Sequence, residues 1–392
     1  MLDEIFDLGN ECCAGKGKVV PLPEAVADCV KPGMKLHMSS GAYANAALRE
    51  VIRQHWGKAP GFTLISTGVT TPYKISLVLS GLAKKIVTSN YSYVYPTPRP
   101  IPLLQEMGKA GKIEIETWSL YSIEQRLMAG ALGVGFMPAR SLMGTDVARE
   151  NAHAFKEIAD PFDDQAKIGV VKALCPDVSL IHGCVADCEG NTILSPPYFA
   201  GIWGARASRE VIVTVERIVP AEFIRQHSAL VKLPGHLVKY VCPIPFGAHP
   251  QGMASESIGV GEGYGEDYEF IRDFVEASKD AAGLEAWLKE WVLGCETEDK
   301  YLQRLGSERI LFLKGKSSAD AWKYPAVATD DGGQVNATEA MIVAGAREIQ
   351  EIVKLRGYTS ILAGIGAAGL AAWLAFYMLR QKKENVALLT GL

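Results

Sequence analysis

Small and polar residues follow three predicted strands, at the point where each strand ends. They are Ser39, Ser40 and Gly41 in the first loop, Ser66 and Thr67 in the second, and Ser89, Asn90 and Tyr91 in the third. The first loop leads into a predicted helix over 46–55, so backbone N–H groups are ready for an anionic or carbonyl group. Because successive loops of this form meet at one edge of a parallel sheet, we predict one binding site there. The alternative is ordinary βα turns, in which Ser, Thr and Gly are common for conformational reasons alone.

Two histidines and one Glu-Arg pair are further candidates for chemistry. His182 lies in an apolar run and is predicted to be a core histidine rather than a base. Glu216 and Arg217 lie near the end of a second apolar run, where charged groups usually pair with their neighbours. His249 is interpreted either as a hydrogen-bonded structural histidine or as support for the pocket or an intersubunit contact.

The cysteines bear on metal binding and on the cellular compartment. Cys184 and Cys188, with His182 just before them, offer metal ligands, but no matching second pair follows and we predict no metal site. We expect free thiols that pack as small apolar side chains in a reducing cytoplasm. The acidic N-terminus from Met1 to Asp7 lacks the apolar stretch of a secretory signal, which also favours a cytoplasmic protein.

Length and composition set limits on the fold and on the partners. The chain has 392 residues, so we expect two domains or one large domain with a smaller piece. A hydrophobic fraction of 48% and a charged fraction of 21% are typical of a soluble globular protein. The net charge of −4, without a Lys/Arg-rich block in the body of the chain, argues against nucleic acid as the main partner.

The order of predicted elements indicates the fold class and the domains. Strand-length apolar runs alternate with amphipathic stretches, which predicts an α/β fold with a mostly parallel sheet and flanking helices. Helices are predicted at 23–30, 46–55, 119–132, 270–282 and 284–293. We predict one domain over 1–316, a linker over 317–335 that contains Asp330-Asp-Gly-Gly333, and a small βαβ-like segment over 336–392.

Several motifs, taken together and in order, resemble one enzyme family. They are Ala129-Gly-Ala-Leu-Gly133, Ala173-Leu-Cys-Pro-Asp177, Ala186-Asp-Cys-Glu-Gly-Asn191, Val211-Ile-Val-Thr-Val-Glu-Arg217, Pro245-Phe-Gly-Ala-His-Pro250 and Tyr301-Leu-Gln-Arg-Leu-Gly306. Over residues 20–315 the chain resembles the A-type subunit of the glutaconate CoA-transferases, which belong to family I of the CoA-transferases.

The resemblance implies a substrate class, a partner and a role for the three loops. It implies a hetero-oligomer with a B-type CoA-transferase chain, acting on acyl-CoA and carboxylate substrates with no bound cofactor. The acyl group would be a short dicarboxylic or branched one. The loop residues would donate hydrogen bonds to the substrate carboxylate or to the thioester oxygen. A glutamate of the B-type chain would attack the thioester and carry CoA as a glutamyl thioester.

The C-terminal segment has three interpretations. Residues 358–379 carry no charge and precede Arg380-Gln-Lys-Lys383, as in a membrane anchor. Gly364-Ile-Gly-Ala-Ala-Gly369 matches a dinucleotide-binding fingerprint. The segment also resembles the start of the family's B-type chain, and the short apolar run Val386–Leu389 favours this interpretation because a second buried parallel strand would have that character. A membrane location through 358–379 remains the alternative.

In the comparison with the B-type chain, Leu389 stands where the family has its nucleophilic glutamate. Leucine cannot attack a thioester, so a separate B-type chain would have to supply the glutamate. Otherwise the protein would be a decarboxylase or hydrolase of an acyl-CoA on the same scaffold. A third hypothesis is a membrane-tethered, non-catalytic binding subunit.

Overall fold

The computed structural model describes residues 17–198 and 201–315, and the backbone of 360–363 and 387–390. The chain divides into two compact units, Met1–Ser318 and Ala319–Leu392.

The described strands number sixteen, of which fourteen lie in the first unit. In chain order they are β1 Lys35–Met38, β2 Phe62–Ile65, β3 Gly68–Val69, β4 Ala83–Thr88, β5 Asn90–Tyr91, β6 Glu114–Thr117, β7 Phe136–Pro138, β8 Phe155–Asp160, β9 Asp163–Lys172, β10 Val178–Ala186, β11 Thr192–Ile193, β12 Glu210–Ile218, β13 Val231–Leu233, β14 Tyr240–Pro243, β15 Ser360–Ala363 and β16 Ala387–Thr390.

The α-helices of the described residues all lie in the first unit. They are α1 Leu22–Cys29, α2 Asn45–His55, α3 Pro72–Leu79, α4 Pro102–Lys109, α5 Leu120–Ala131, α6 Asp146–Glu150, α7 Gly201–Ala207, α8 Ala221–Gln226, α9 Tyr268–Ala277, α10 Ala281–Leu288, α11 Glu298–Leu305 and α12 Ser307–Leu313. A π-helical turn, Lys289–Leu293, continues α10.

A parallel sheet forms the centre of the first unit. Its seven parallel strands run in the order β14-β12-β10-β1-β2-β4-β6. Strands β11 and β13 extend it beside the end of β10 in antiparallel pairing. The predicted α/β fold with a mostly parallel sheet is therefore confirmed. A separate antiparallel sheet in the order β7-β9-β8, which the hydrophobic pattern did not predict, accompanies it.

Alternate residues of the central strands pack into different cores. In β12, Ile212 belongs to the largest buried cluster, whereas Val211 and Val213 belong to another, because successive side chains on a strand point to opposite faces. Strand β10 is buried at every position. Helix layers on both faces explain why β10 and β12 are almost continuous apolar runs.

Short polar side chains determine where several helices begin. Ser119 Oγ accepts a hydrogen bond from the backbone N–H of Ser122 and starts α5, which confirms the helix predicted over 119–132. The helix predicted over 270–282 is wrong at its end. It stops at Ala277, because Asp280 Oδ1 accepts the backbone N–H of Gly283 at 2.8 Å and begins α10 instead.

Among the described residues, the cysteines differ from expectation at one position. Cys29, Cys175, Cys184, Cys242 and Cys295 are free thiols. Cys188 is disulfide-bonded, so the expectation that every cysteine is free is wrong there.

The described part of the second unit is a pair of parallel strands. Leu362 of β15 lies opposite Leu389 of β16, which confirms the short second strand predicted at 386–389. The glycines of the fingerprint, Gly364 to Gly369, and nearly all of 358–379 lie outside the described residues. No helix within the described residues is long and apolar enough to cross a membrane.

Candidate functional site

The three predicted loops lie side by side at the carboxyl edge of the central sheet. They follow β1, β2 and β4, which are neighbours in the sheet. The second and third loops are also joined by a short parallel pairing of β3 with β5, in which Gly68 lies opposite Asn90. Strand order therefore brings together residues that are distant in sequence.

Lys74 connects the first loop to the second. Its Nζ atom donates hydrogen bonds to Ser66 Oγ at 2.9 Å, to Ser40 Oγ at 3.1 Å and to the Gly68 carbonyl oxygen at 3.3 Å. The Ser40 and Ser66 hydroxyl oxygens are 3.2 Å apart. Lys74 lies in the first turn of α3, which begins at Pro72, a residue whose fixed φ suits the first helical position.

Burial controls the charge of Lys74. The residue is 2% exposed and forms no ion pair within the described residues. Desolvation disfavours the ammonium form and lowers the pKa of Lys74 from 10.5 to about 7. The ring centroid of Tyr43 lies 5.4 Å from Nζ. Near neutral pH the amine is therefore present in both protonation states.

The two hydroxyl groups beside Lys74 have different surroundings. Ser66 is buried, and its hydroxyl donates to the Gly68 carbonyl oxygen at 3.0 Å. Ser40 is half-buried and lies at the rim of the cluster. Gly41 has φ +94°, a left-handed conformation that turns the chain directly after Ser40. Ser40 is thus the more accessible hydroxyl of the pair.

The other predicted site residues take separate positions. Ser89 Oγ donates a hydrogen bond to the Thr67 carbonyl oxygen, which holds the third loop against the second. Tyr91 is half-buried in β5 and Asn90 is exposed. Ser39 is buried beside Gly201. Its Oγ would overlap a Cβ placed on Gly201, and it has no hydrogen-bond partner in the described residues.

Two residues of this edge were not predicted from the sequence. Lys74 stands in the otherwise apolar helical run Pro72-Tyr-Lys-Ile-Ser-Leu-Val-Leu79, and a lone lysine in such a run is the signal that could have found it. His37, in β1, bonds through Nδ1 to Ser179 Oγ at 2.8 Å. Burial, and then the charge of Lys74, lower the pKa of His37 to about 3, so His37 is neutral.

His182, in the middle of β10, and Glu216, near the carboxyl end of β12, form a hydrogen-bonded group in which His182 is fully buried. His182 Nδ1 lies 2.8 Å from Thr214 Oγ1, and Nε2 lies 2.9 Å from Glu216 Oε1. Glu216 also accepts the backbone N–H of Phe246 at 2.8 Å and the hydroxyl of Tyr264 at 2.9 Å. The predictions of a core histidine and of local pairing for Glu216 are confirmed.

His249 is a hydrogen-bonded structural histidine. It is fully buried, with Nδ1 at 2.6 Å from Tyr301 OH and Nε2 at 3.0 Å from Asp267 Oδ2. Burial lowers the pKa of His249 to about 4. Burial opposes ionisation of Asp267, but hydrogen bonds from His249 and Arg309 hold its pKa below the usual range. The first of the two interpretations of His249 is the one that these contacts support.

No acidic residue occurs in the three loops. Burial raises the pKa of Tyr43 beside Lys74, and the negative charge of Glu266 raises it further. Burial raises the pKa of Glu266 itself, while Gln251 and Tyr268 hydrogen-bond to it. The loops therefore offer hydroxyl, amide and amine groups, but no carboxylate nucleophile.

Comparison with known proteins relates this architecture to described enzymes. A protein of Archaeoglobus fulgidus is 28% identical over 300 residues, covering 75% of this chain and 63% of that protein, which is less than two thirds of its length. The A-type subunit of the glutaconate CoA-transferase of Acidaminococcus fermentans is 28% identical over 319 residues, covering 76% of this chain and 94% of that protein.

Solved structures show the same similarity. The crystal structure of the Acidaminococcus fermentans glutaconate CoA-transferase superposes with a TM-score of 0.68 at 26% identity, covering 76% of this chain and 95% of that one. The crystal structure of the decarboxylase AibA/AibB gives a TM-score of 0.56 at 28% identity, covering 70% of this chain and 100% of that one. The family model described as coenzyme A transferase matches residues 21–243, more than half of the chain. The chain belongs to the coenzyme A transferase family.

Proposed function

We propose that this chain is the A-type subunit of a hetero-oligomer that acts on CoA thioesters of short dicarboxylic or branched acids in the cytoplasm. The observation that carries the proposal is the cluster of Ser40, Ser66 and Lys74 at the carboxyl edge of the sheet. Ligands of open parallel sheets bind at that edge. Hydroxyl and amine donors there suit a carboxylate or a thioester oxygen.

The partner follows from the chemistry that the loops lack. Transfer of CoA between carboxylates needs a carboxylate nucleophile, and the three loops contain none. Leu389, in β16, stands at the position that resembles the nucleophile of the family's B-type chain. A separate B-type chain would therefore supply the glutamate, and no bound cofactor is needed for the exchange.

A second candidate is decarboxylation or hydrolysis of an acyl-CoA on the same scaffold. The observation that favours it is the structural similarity to the decarboxylase AibA/AibB, in which the match extends over the whole length of the compared chain. The sequence of the B-type partner separates the two candidates, because transfer through a glutamyl thioester requires its glutamate.

The experiment compares the purified chain alone with the chain co-expressed with its B-type partner. Transfer of CoA from glutaconyl-CoA to acetate is expected only with the partner. With the partner present, Ser40→Ala should lower kcat/KM by roughly tenfold, the loss expected for a hydrogen bond made in the transition state. Ser89→Ala should lower kcat/KM by a similar factor because it releases the third loop from the Thr67 carbonyl oxygen.

Ser80→Ala is the matched control, since its hydroxyl bonds to the Leu77 carbonyl oxygen at the far end of α3. Transfer by the isolated chain would contradict the assignment of the nucleophile to the partner. Unchanged kinetics of both loop variants would remove the loops from the site.

A further inference from the structure

We propose that Ser40 is a nucleophile and Lys74 its general base, and that this chain thereby hydrolyses acyl-CoA thioesters through an acyl-serine intermediate. The proposal rests on the proposed function in one respect, that the loops bind an acyl-CoA. It assigns the chain a reaction that needs no glutamate from a partner.

The geometry is that of an activated serine. Lys74 Nζ lies 3.1 Å from Ser40 Oγ and 2.9 Å from Ser66 Oγ, and the two hydroxyl oxygens are 3.2 Å apart. These distances lie within the range of about 2.6–3.2 Å expected between a nucleophile and its base. Ser40 is half-buried at the rim, whereas Lys74 and Ser66 lie buried behind it. Ser40 is thus the most accessible of the three groups, and the base is shielded from water.

When Lys74 is neutral, the lone pair of its amine remains free to accept a hydrogen bond from the Ser40 hydroxyl. The Ser66 hydroxyl donates to the Gly68 carbonyl oxygen, so Ser66 Oγ is free to accept an N–H of Lys74. The second N–H of the neutral amine can point to the same carbonyl oxygen, 3.3 Å away. The lone pair then faces the Ser40 hydroxyl and can take its proton. Ser66 and Gly68 are therefore positioning groups for the base.

The surroundings of Lys74 differ from those of a structural buried lysine. Buried lysines are normally paired with a carboxylate, which offsets the cost of removing the charge from water. Around Lys74 the described contacts are hydroxyl groups, one carbonyl oxygen and the Tyr43 ring. The titratable groups that face it are neutral His37 and Tyr43, with Glu266 behind Tyr43. A lysine that releases its proton near neutral pH is suited to act as a base.

The reaction balances with water as the only co-reactant. Lys74 takes the Ser40 proton while Ser40 Oγ attacks the thioester carbonyl, and the resulting ammonium lies beside the tetrahedral intermediate and stabilises its negative charge. The C–S bond breaks, and the CoA thiolate takes the proton from Lys74. Water then attacks the Ser40 ester, with Lys74 accepting its proton. The carboxylic acid leaves as Ser40 regains a proton from Lys74.

A fluorophosphonate probe and two thioesters test the proposal on the full chain, alone and with its partner. Mass spectrometry should locate the probe on Ser40, and chromatography should show CoA released from acetyl-CoA or glutaryl-CoA. We expect Ser40→Ala to abolish labelling and Lys74→Met to slow both reactions by about 100-fold or more. Ser80→Ala should be labelled at Ser40 like the wild type. The labelling rate of the wild type should rise with pH and level off above about 7, the pKa of Lys74.

The outcomes separate this proposal from the proposed function. If transfer with the partner is observed but folded wild-type chain gives no adduct at Ser40, the nucleophile assignment is wrong and the proposed function stands. Release of CoA at equal rates by wild type and Ser40→Ala would also overturn it. Labelling that persists in Lys74→Met at the wild-type rate and pH profile would show that Lys74 is not the base. Circular dichroism of each variant verifies that the fold is retained.

Discussion

Lys74→Met tests the electrostatic cost of burying a lysine without a carboxylate. Methionine has a similar length and flexibility but no charge, so the substitution removes the ammonium group with little change in packing. Burial lowers the pKa of Lys74 from 10.5 to about 7. The unfolded chain therefore binds a proton at this side chain between those two pH values, whereas the folded chain does not. In that window the wild type gains stability as the pH rises.

The magnitude follows from the two pKa values. The free-energy cost of burying the charged ammonium group lowers the stability of the folded wild type. This cost is absent above pH 10.5, grows by about 1.36 kcal/mol for each pH unit below that, and reaches about 5 kcal/mol below pH 7. The substitution also removes three hydrogen bonds, each worth about 1 kcal/mol. Lys74→Met should therefore be more stable than the wild type by roughly 2 kcal/mol at pH 7. Its advantage should shrink by about 2.7 kcal/mol between pH 7.5 and pH 9.5.

Urea denaturation followed by tryptophan fluorescence measures this difference. The wild type, Lys74→Met and the exposed control Lys84→Met are compared at several pH values from 7 to 10. The control should follow the wild type at each pH. A stability difference between Lys74→Met and the wild type that does not change with pH would refute the reasoning, because Lys74 would then carry the same charge in both states.

Three further predictions concern the scaffold and the tail. Gly204→Ala should destabilise the protein by at least about 2 kcal/mol in urea denaturation, because the new alanine Cβ would overlap the His37 ring. Gly135→Ala is the control: its new Cβ would have nothing within 4 Å, and stability should change by less than about 1 kcal/mol. Asp267→Asn should cost about 3 kcal/mol at pH 7 by breaking the buried contacts with His249 and Arg309. Because the pKa of Asp267 is lowered in the folded state, its ionised carboxylate stabilises the protein above pH 3.8, and this stabilisation is lost as the pH falls further. If the free energy of unfolding of Asp267→Asn and of the wild type fell equally with acid, this prediction would be wrong. Deleting 336–392 should weaken assembly with the partner while the full chain stays soluble without detergent; recovery of the full chain only from detergent-extracted membranes, with a truncated chain that assembles normally, would favour an anchor.

Local pattern was sufficient for much of the fold. Apolar runs of strand length predicted β10 and β12, and helical spacing predicted α1, α2 and α5 within a residue or two. The end of α9 was missed because Asp280 offers a better helix start than the continuing periodicity suggests. The sheet β7-β9-β8 was missed because β8 and much of β9 are exposed and polar, so their sequence lacks apolar alternation.

What the sequence determined by itself is the family, through several motifs in order, and the presence of three polar loops that each follow a strand. Those features are local, because a strand and the turn after it depend on neighbouring residues. Only the tertiary structure decided that Ser40 faces Lys74 whereas Ser39, one residue earlier, is buried beside Gly201. It also decided the charge of Lys74, because a pKa depends on how much water and how many opposite charges surround a group. Both are properties of chain segments brought together from different parts of the sequence.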